Sequence, residues 1–396
     1  MTSRERIVAA LEHRQPDRVP VDLGASESSG IMGIAYNRLK AHLGLDGRTQ
    51  IYDLGQMIAK VEEPVLDIVG ADAMALLIEP RKWKPWRLQD GSQGEIPAQL
   101  QIVDWEGGWA VPGSDGLPAA LCPEGGFYFD PVNPPLVDAT SPEDIEAGIA
   151  HLESFDWPGY LDETYEDLAA KARILHEETD RCIVGNLWVH IFAAGQILRG
   201  FENFMMDLAG DKPLAHHLMG RLVDCYAPRV EAYVKAVGPH VDVIQVNDDL
   251  GTQNGTQISP DLYRELVKPY HRRLWGMVKR LSGKPLLLHS CGSIYDLLPD
   301  LIEIGVDAIN PVQVSAANMD GALLKREFGR DLTFWGGGCD TRDILANGTP
   351  EQISEHVKQQ VEILKPNGGF VFQQVHNILA NVPAENIVAM LDAVNS

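Results

Sequence analysis

Short apolar runs alternate with long amphipathic segments along most of the chain beyond residue 140. Each run has the length of a strand that is buried on both faces. Strand–helix units repeated in this order predict a parallel sheet, and their number favours an α/β fold of the (β/α)8 TIM barrel type over an open sheet. The predicted strands are 182–187, 241–246, 286–288, 306–309, 332–335 and 369–372, with 19–23 and 73–78 as further candidates.

Helix starts are marked by a hydroxyl residue followed by proline, the pairing that is typical of an N-cap and the first helical position. Such pairs occur at Ser141-Pro142, Ser259-Pro260 and Thr349-Pro350. Apolar residues then recur at three- and four-residue spacing, so we expect an amphipathic helix after each pair.

Residues 80–135 have a different texture, with four tryptophans scattered among Gly, Pro and Asp. This pattern predicts irregular antiparallel strands that form an N-terminal elaboration and cover one mouth of the barrel. Because no convincing flexible linker or internal repeat interrupts the chain, we interpret residues 1–396 as a single barrel domain with this excursion.

The charge balance excludes several classes of partner. The chain has 33 Lys and Arg against 56 Asp and Glu, a formal net charge of −23. Such a field repels nucleic acid and anionic membrane surfaces. The apolar runs are too short for a spanning helix, and the start of the chain lacks the apolar stretch of a signal peptide, so we expect a cytoplasmic protein. The five cysteines disfavour a disulfide framework in such a chain and direct attention to reactive or metal-binding thiols.

Polar residues follow nearly every predicted strand, where the reactive groups of a barrel lie. His289-Ser290-Cys291 follows one strand and Cys339 follows another. An imidazole and two thiolates from two strand ends, with one coordination position open, is the ligand set of a catalytic zinc site. The alternative interpretation is a hydrogen-bonded histidine beside an inert buried cysteine, but the placement at strand ends favours the metal.

Two further motifs lie at strand ends. The doublet Asp248-Asp249 is either a structural pair or, beside a cation, a source of a catalytic carboxylate, and we take both residues as catalytic candidates. The run Gly336-Gly337-Gly338 lacks the fingerprint of a phosphate-binding loop, so we interpret it as a close approach of backbone to a ligand.

Taken together, the motifs give a resemblance that spans nearly the whole chain. The chain resembles the uroporphyrinogen decarboxylase superfamily and, within it, the zinc-dependent, corrinoid-linked methyltransferases. The motifs that carry this resemblance are Arg6–Leu11 with Pro16-Asp17-Arg18-Val19-Pro20, Asn247–Gln253, Lys268-Pro269-Tyr270-His271, His289–Ser293, Asn310–Gln313, Trp335–Thr341 and Val375-His376-Asn377.

The resemblance implies a methyl transfer between a corrinoid (cobalamin) carrier, either methylcobalamin or a separate corrinoid protein, and a small-molecule donor or acceptor. The related methyltransferases hold zinc by His-x-Cys, which His289 and Cys291 match, and by a later cysteine. Several members have that cysteine near the C-terminus, where this chain has Gln374-Val375-His376. Either Cys339 or His376 therefore supplies the third ligand.

We favour Cys339, since two thiolates and one imidazole neutralise the ion and suit a thiolate nucleophile, whereas His376 would leave a net charge of +1 and suit a neutral ether. His376 would then contact the ligand or a metal-binding residue. The resemblance also points to Gln313, Gly337, Gly338 and Asn377 as cofactor contacts.

Porphyrinogen decarboxylation itself does not fit the sequence. The true decarboxylases carry an arginine-rich segment that binds substrate carboxylates, and the corresponding residues 21–29 contain no arginine. Two alternatives to methyl transfer stay open: a corrinoid-independent lyase or decarboxylase of a small organic acid, and a non-catalytic ligand-binding barrel. A homodimer is among the assemblies that the sequence allows.

Overall fold

The computed structural model describes residues 1–113, 116–154 and 162–396. The strands are β1 (Ile31–Met32), β2 (Thr49–Asp53), β3 (Ile58–Ala59), β4 (Ala73–Leu76), β5 (Trp83–Arg87), β6 (Gln93–Pro97), β7 (Val103–Trp105), β8 (Gly108–Pro112), β9 (Pro118–Cys122), β10 (Asp130–Pro131), β11 (Cys182–Asn186), β12 (Val243–Asn247), β13 (Leu286–His289), β14 (Ala308–Asn310), β15 (Thr333–Trp335) and β16 (Phe370–Val371).

The helices alternate with the later strands. They are α1 (Ser3–Leu11), α2 (Gly33–His42), α3 (Glu63–Val69), α4 (Pro142–Ser154), α5 (Tyr165–Glu178), α6 (Phe192–Arg199), α7 (Phe201–Gly210), α8 (Lys212–Val237), α9 (Pro260–Leu262), α10 (Lys268–Ser282), α11 (Leu298–Glu303), α12 (Gly321–Phe328), α13 (Ile344–Asn347), α14 (Pro350–Leu364) and α15 (Ala384–Ala393). A π-helical turn, Tyr263–Val267, joins α9 to α10, and a 3₁₀ turn, Tyr295–Leu297, precedes α11.

A curled parallel sheet of seven strands forms the centre of the fold, in the order β16-β15-β14-β13-β12-β11-β4. All six internal strands predicted from apolar runs contribute to it, and the run 73–78 supplies β4. The predicted strand at 19–23 forms a parallel bridge at Val21 with Phe372, and Asp72 N donates to Val21 O at 2.7 Å. This segment therefore bonds next to both edges of the sheet, which is compatible with the predicted barrel.

The three predicted helix starts are confirmed. Thr349 Oγ1 accepts from Gln352 N while the Gln352 side chain accepts from Thr349 N, so both groups of the capping box that begins α14 are satisfied. Ser259 Oγ accepts from Leu262 N at 3.2 Å, and the helical segment that it starts continues through the π-helical turn to Ser282. Pro142 begins α4 directly after Ser141.

The lower part of the sheet interior is apolar. Val184, Val243 and Leu287 pack there with Trp335, and Ile7 of α1 closes this cluster. Because side chains alternate along a strand, the residues two positions further along face the same interior, one layer nearer to the carboxyl ends. The apolar layer therefore supports whatever lies at those ends.

The tryptophan-rich region forms strands β5 to β10. A four-stranded antiparallel sheet has the order β10-β9-β8-β7, and β5 pairs antiparallel with β6. Strand β6 also pairs with β2 in parallel, so this region is not antiparallel throughout. Residues 114 and 115 of this excursion lie outside the described residues. That it covers one mouth of the barrel stays a prediction. Among the described helices, none has both the length and the apolar composition needed to cross a bilayer.

Candidate metal centre

A polar layer lies directly above the apolar layer, at the carboxyl ends of the strands. In the register of the sheet, Asn186 lies opposite Gln245, and His289 lies opposite both Asn247 and Asn310. These residues follow Val184, Val243, Leu287 and Ala308 at the two-residue spacing that keeps a side chain on the same face. The prediction that polar groups converge at this end of the sheet is therefore confirmed for these strands.

Three side chains at this end form a potential metal site: His289, Cys291 and His376, whose ligand atoms all lie within 4.8 Å of one another. All three are partly exposed. The distance from Cys291 Sγ to His289 Nε2 is 3.5 Å. A tetrahedral zinc ion bonded to both atoms at its usual distances would separate them by about 3.6 Å. The donor set, two imidazoles and one thiol on partly exposed side chains, thus fits a zinc ion whose fourth coordination position is left for a substrate.

Hydrogen bonds orient both imidazoles towards this point. His289 Nδ1 donates to Asn310 Oδ1 at 3.0 Å, and the Asn310 amide is fixed because its Nδ2 donates to Trp335 O and Gln373 Oε1. His376 Nδ1 donates to Asn377 Oδ1 at 2.5 Å. In each ring the proton is on Nδ1, so Nε2 presents a lone pair, as is typical of metal-binding histidines.

The electrostatics of these three side chains also match a cation site. Burial lowers the pKa of His376 to about 4, with a further decrease from the neighbouring His289, so the ring is neutral at physiological pH. Burial raises the pKa of the Cys291 thiol well above its usual value, and the Asp249 carboxylate raises it further. Without a cation this thiol stays protonated, whereas a bound metal ion stabilises the thiolate.

The loop that carries Cys291 is held by two side chains. Asp249 Oδ1 accepts from Cys291 N at 2.7 Å and lies 3.7 Å from His289 Nε2. Gln313 Oε1 accepts from Gly292 N at 2.9 Å, and Gln313 Nε2 donates to Gln253 Oε1. Asp249 is 46% exposed, so it is accessible from solvent while it lies beside His289 and Cys291. Gln313, expected to contact the cofactor, positions the Cys291 loop in this structure.

Asp248 has a different role from the catalytic one expected. Its side chain is fully buried, and it accepts four hydrogen bonds, from Ile191 N, Phe192 N, Ala193 N and His271 Nε2, at 2.7 to 2.8 Å. Burial alone would raise the pKa of this carboxyl, but the His271 hydrogen bond and the backbone donors hold it below its usual value. Asp248 therefore anchors the start of α6 and offers no free oxygen to a substrate.

Cys339, which we expected to be the third ligand, is not part of the group formed by His289, Cys291 and His376. It is completely buried within the main hydrophobic core, and burial strongly raises the pKa of its thiol. Its Sγ is near Asp340 O at 3.9 Å. The structure gives it the surroundings of a packing cysteine, and His376 occupies the place beside His289 and Cys291 instead.

The glycines at 336–338 pack against the protein itself. A Cβ on Gly337 would lie 3.0 Å from Val312 Cβ, and one on Gly338 would lie 2.3 Å from the Phe372 ring. Gly336 and Gly337 also adopt φ values of +128° and +79°, which favour glycine. Close packing against Val312 and Phe372 thus explains these residues, and the expected ligand contact at Gly337 and Gly338 is not needed to account for them.

Three other residues at this site were not predicted from the sequence. Ser28 Oγ donates to Asn310 Oδ1, the atom that fixes His289. Gln56 Oε1 accepts from Asn377 Nδ2 at 3.2 Å and so supports His376. His190 follows β11 and has its pKa lowered by burial, an effect that Asp248 and Asp249 oppose. Because His190 lies four residues after a strand, the sequence could have predicted it as a residue of this site.

Comparison with known proteins gives a family for this arrangement. The family model for uroporphyrinogen decarboxylase (URO-D) matches residues 159–396. The chain belongs to the URO-D family. A methylated-thiol–coenzyme M methyltransferase from Methanosarcina mazei is 29% identical over 238 residues, which cover 58% of this chain and 57% of the relative. A uroporphyrinogen decarboxylase from Anaeromyxobacter dehalogenans is 23% identical over 203 residues, which cover 50% of this chain and 52% of the relative.

The match therefore spans a little over half the length of either curated relative. Among solved structures, a methyltransferase from Methanosarcina mazei superposes with a TM-score of 0.60 at 17% identity, covering 99% of this chain and 98% of the other. At that identity the likeness shows a shared fold and nothing further.

Proposed function

We propose that this protein is a zinc-dependent methyltransferase that moves a methyl group between a corrinoid carrier and a small molecule. The observation that carries the proposal is the grouping of His289, Cys291 and His376, in which Nδ1 of each ring is bonded to an asparagine and Nε2 is the nitrogen that can bind a metal ion. The relative from Methanosarcina mazei that is named as a methyltransferase supports the same reaction class. In this proposal His376 replaces Cys339 as the third ligand.

The ligand set favours one kind of substrate. When bound, zinc acts as a Lewis acid on the oxygen or sulfur that carries the methyl group. One thiolate and two neutral imidazoles leave a net charge of +1, which suits a neutral methyl ether better than a thiolate nucleophile. In the direction of demethylation, His289, Cys291 and His376 would hold the zinc beside the oxygen that carries the methyl group. The methyl group would be transferred to the corrinoid carrier, and the oxygen would leave as an alcohol after taking up a proton. Asp249 is the carboxylate beside the ligand atoms at the open mouth.

The corrinoid carrier is proposed to be a separate protein or free cobalamin, approaching the carboxyl ends of the strands. We further propose that residues 20–22 close the sheet into an eight-stranded barrel, through Val21 between Phe372 and Asp72. Such closure leaves the carboxyl-end mouth as the face on which His289, Cys291 and His376 meet a substrate.

A spectroscopic assay tests the proposed function. Zinc-loaded protein is incubated with cob(I)alamin and a panel of methyl ethers and methyl thioethers, and the cobalt spectrum is followed for methylcobalamin. We expect methylation with wild type and a loss of at least about 100-fold in Cys291→Ser, because a thiolate ligand is removed. Cys122→Ser is the matched control, since Cys122 is buried in β9.

Equal rates in Cys291→Ser and wild type would contradict the proposed site. Release of carbon dioxide from a small organic acid, without any change at cobalt, would instead support the lyase or decarboxylase alternative.

A further inference from the structure

The loops around the candidate metal centre contain very few basic residues. No Lys or Arg occurs in the ten residues that follow each of the strands β11, β12, β13, β14 and β16. The N-terminal segments 19–37 and 49–59 also contain none. Because the loops after parallel strands lie at the carboxyl ends of the sheet, positive charge is scarce where His289, Cys291 and His376 meet.

The basic residues that do follow strands are on the protein surface. Arg81 and Lys82 come after β4 and Arg342 comes after β15, and all three are exposed. Arg81 is also paired with Asp167, at 2.6 Å. None of these three basic residues is among the groups that influence the pKa values of the buried side chains at the metal centre.

Asp249 places a negative charge beside the ligand atoms instead. Its Oδ1 lies 3.7 Å from His289 Nε2, and its side chain reaches solvent. Burial is the main influence on the pKa values of Cys291 and His376, and in both groups the Asp249 carboxylate favours the protonated form. The field of the protein at this point is therefore negative.

The amide groups around the metal centre do not compensate for the missing positive charge. Asn310 Nδ2 donates to two oxygens of neighbouring residues. Gln313 Nε2 donates to Gln253 Oε1 at 2.9 Å, and Asn377 Nδ2 donates to Gln56 Oε1 at 3.2 Å. Each of these nitrogens thus already donates to an oxygen of the protein. Strong binding of a carboxylate, sulfonate or phosphate group relies on basic side chains or on several free donors.

A bound zinc ion would not leave an excess of positive charge either. The ion contributes +2, and the Cys291 thiolate and the Asp249 carboxylate contribute −1 each, so these charges cancel while both imidazoles are neutral. A negative group on the substrate, a few ångströms from the ion, would gain little from the metal and would be repelled by Asp249. A positive group at the same place would be attracted.

We infer that Asp249 selects against anions, so that the small molecule handled at the metal centre is neutral or positively charged. The inference rests on the proposed function for the reaction, whereas the charge preference is a property of Asp249 and of the loops around it. It narrows the candidate substrates to methyl ethers and thioethers that carry no carboxylate, sulfonate or phosphate group.

Two thiol reagents of opposite charge measure the field at Cys291 in chelator-treated protein. They are 2-aminoethyl and 2-sulfonatoethyl methanethiosulfonate, and each forms a disulfide with the thiolate and releases methanesulfinate. Cys291 is partly exposed, whereas the other four cysteines are buried. The rate at Cys291, followed by mass spectrometry of its peptide, is divided by the rate with free 2-mercaptoethanol. We expect the cationic reagent to be favoured by about 10-fold or more.

One variant and one matched control locate the effect. Asp249→Asn should lower the preference by about 3- to 10-fold, because it removes the charge and keeps an oxygen that can accept from Cys291 N. Asp392→Asn, a change of an exposed carboxylate in α15, should keep it. Added salt should weaken the wild-type preference by screening. A change in the pKa of Cys291 affects both reagents equally and cancels in the ratio.

A second probe set measures binding at the metal. Cobalt(II) replaces zinc, and the absorbance of the cobalt–thiolate bond reports binding of cysteamine, 2-mercaptoethanol and 2-mercaptoethanesulfonate, which differ at the end remote from the thiol. We expect the dissociation constants to rise in that order, by about 10-fold or more from the first to the last. This ratio should fall in Asp249→Asn, a comparison in which the thiol acidity of each probe cancels.

Equal or faster reaction of the anionic reagent in wild type overturns the inference, and so does an unchanged ratio in Asp249→Asn. Tightest binding of the sulfonate at cobalt also overturns it. A charge preference at Cys291 in protein that binds neither zinc nor cobalt would leave the preference standing and remove the proposed function. Binding of all three thiols to cobalt with equal affinity would do the reverse.

Discussion

Asp248 and Asp249 are neighbours in the chain, yet they lie on opposite sides of the strand end. Asp248 faces the helices, is fully buried and has its oxygens occupied by four donors. Asp249 faces the mouth, is 46% exposed and accepts from the backbone of Cys291 beside the ligand atoms. The difference indicates that Asp248, with four donors around its buried carboxylate, supports the fold, whereas Asp249 is accessible beside the proposed metal ligands.

The largest effect, on the free energy of unfolding, is expected for Asp248 on the helix-facing side of the strand end. Asp248→Asn removes a charge and leaves one of four buried donors opposite an NH2 group. We expect a loss of about 3–5 kcal/mol in the free energy of unfolding, measured by denaturant titration. Zinc content per folded molecule should stay at the wild-type value. A specific loss of zinc without a loss of stability would show that Asp248 supports the metal site and not the fold.

The same carboxyl predicts an acid limit to stability. Its pKa in the folded state is below the usual value, so its contribution is complete above about pH 4 and is lost as the pH falls through the folded-state pKa. Wild type should therefore lose more stability than Asp248→Asn over this range.

An intermediate effect, on zinc affinity, is expected for Asn377, which supports His376. Asn377→Ala removes the oxygen that accepts from His376 Nδ1 and should lower zinc affinity by about 10- to 100-fold, measured by competition with a chelating indicator. Asn203→Ala, a loop-contacting asparagine that donates to Val137 O, serves as the control. Equal affinities in the two variants would show that the asparagine does not orient the ring.

The smallest effect concerns Asp249 itself. Asp249→Asn removes a negative charge that raises the pKa of the Cys291 thiol, so that pKa should fall in the metal-free protein. The pH dependence of alkylation at Cys291, followed by mass spectrometry of its peptide, measures this change. Stability should alter by less than about 1 kcal/mol, since the new amide oxygen can still accept from Cys291 N. A thiol pKa that stays constant or rises would contradict this assignment.

The sequence was sufficient to predict the strands and helix starts that are marked by local residue patterns. Apolar runs placed the central strands, and the hydroxyl–proline pairs placed the starts of α4, α9 and α14. His289 and Cys291 were found because a two-residue spacing at a strand end keeps both on one face. The same alternation could have separated Asp248 from Asp249, since Val243, Gln245 and Asn247 face the interior and residue 248 then faces the helices.

Other parts of the site depend on contacts between distant segments. The chain turns at Gly336 and Gly337 with positive φ, so side-chain alternation no longer tells where Cys339 points, and the structure buries it. Ser28 and Gln56 approach Asn310 and Asn377 only through folding of the N-terminal region over the strand ends. No local pattern in residues 24–30 encodes that approach.

The identity of the third ligand is the claim on which the proposed site depends most directly. Zinc is removed from His376→Ala and Cys339→Ser, restored from a buffered pool and counted per folded monomer by mass spectrometry. We expect wild-type occupancy in Cys339→Ser and loss of most zinc in His376→Ala. Full occupancy in His376→Ala together with loss in Cys339→Ser would contradict it and return the site to two thiolates and one imidazole.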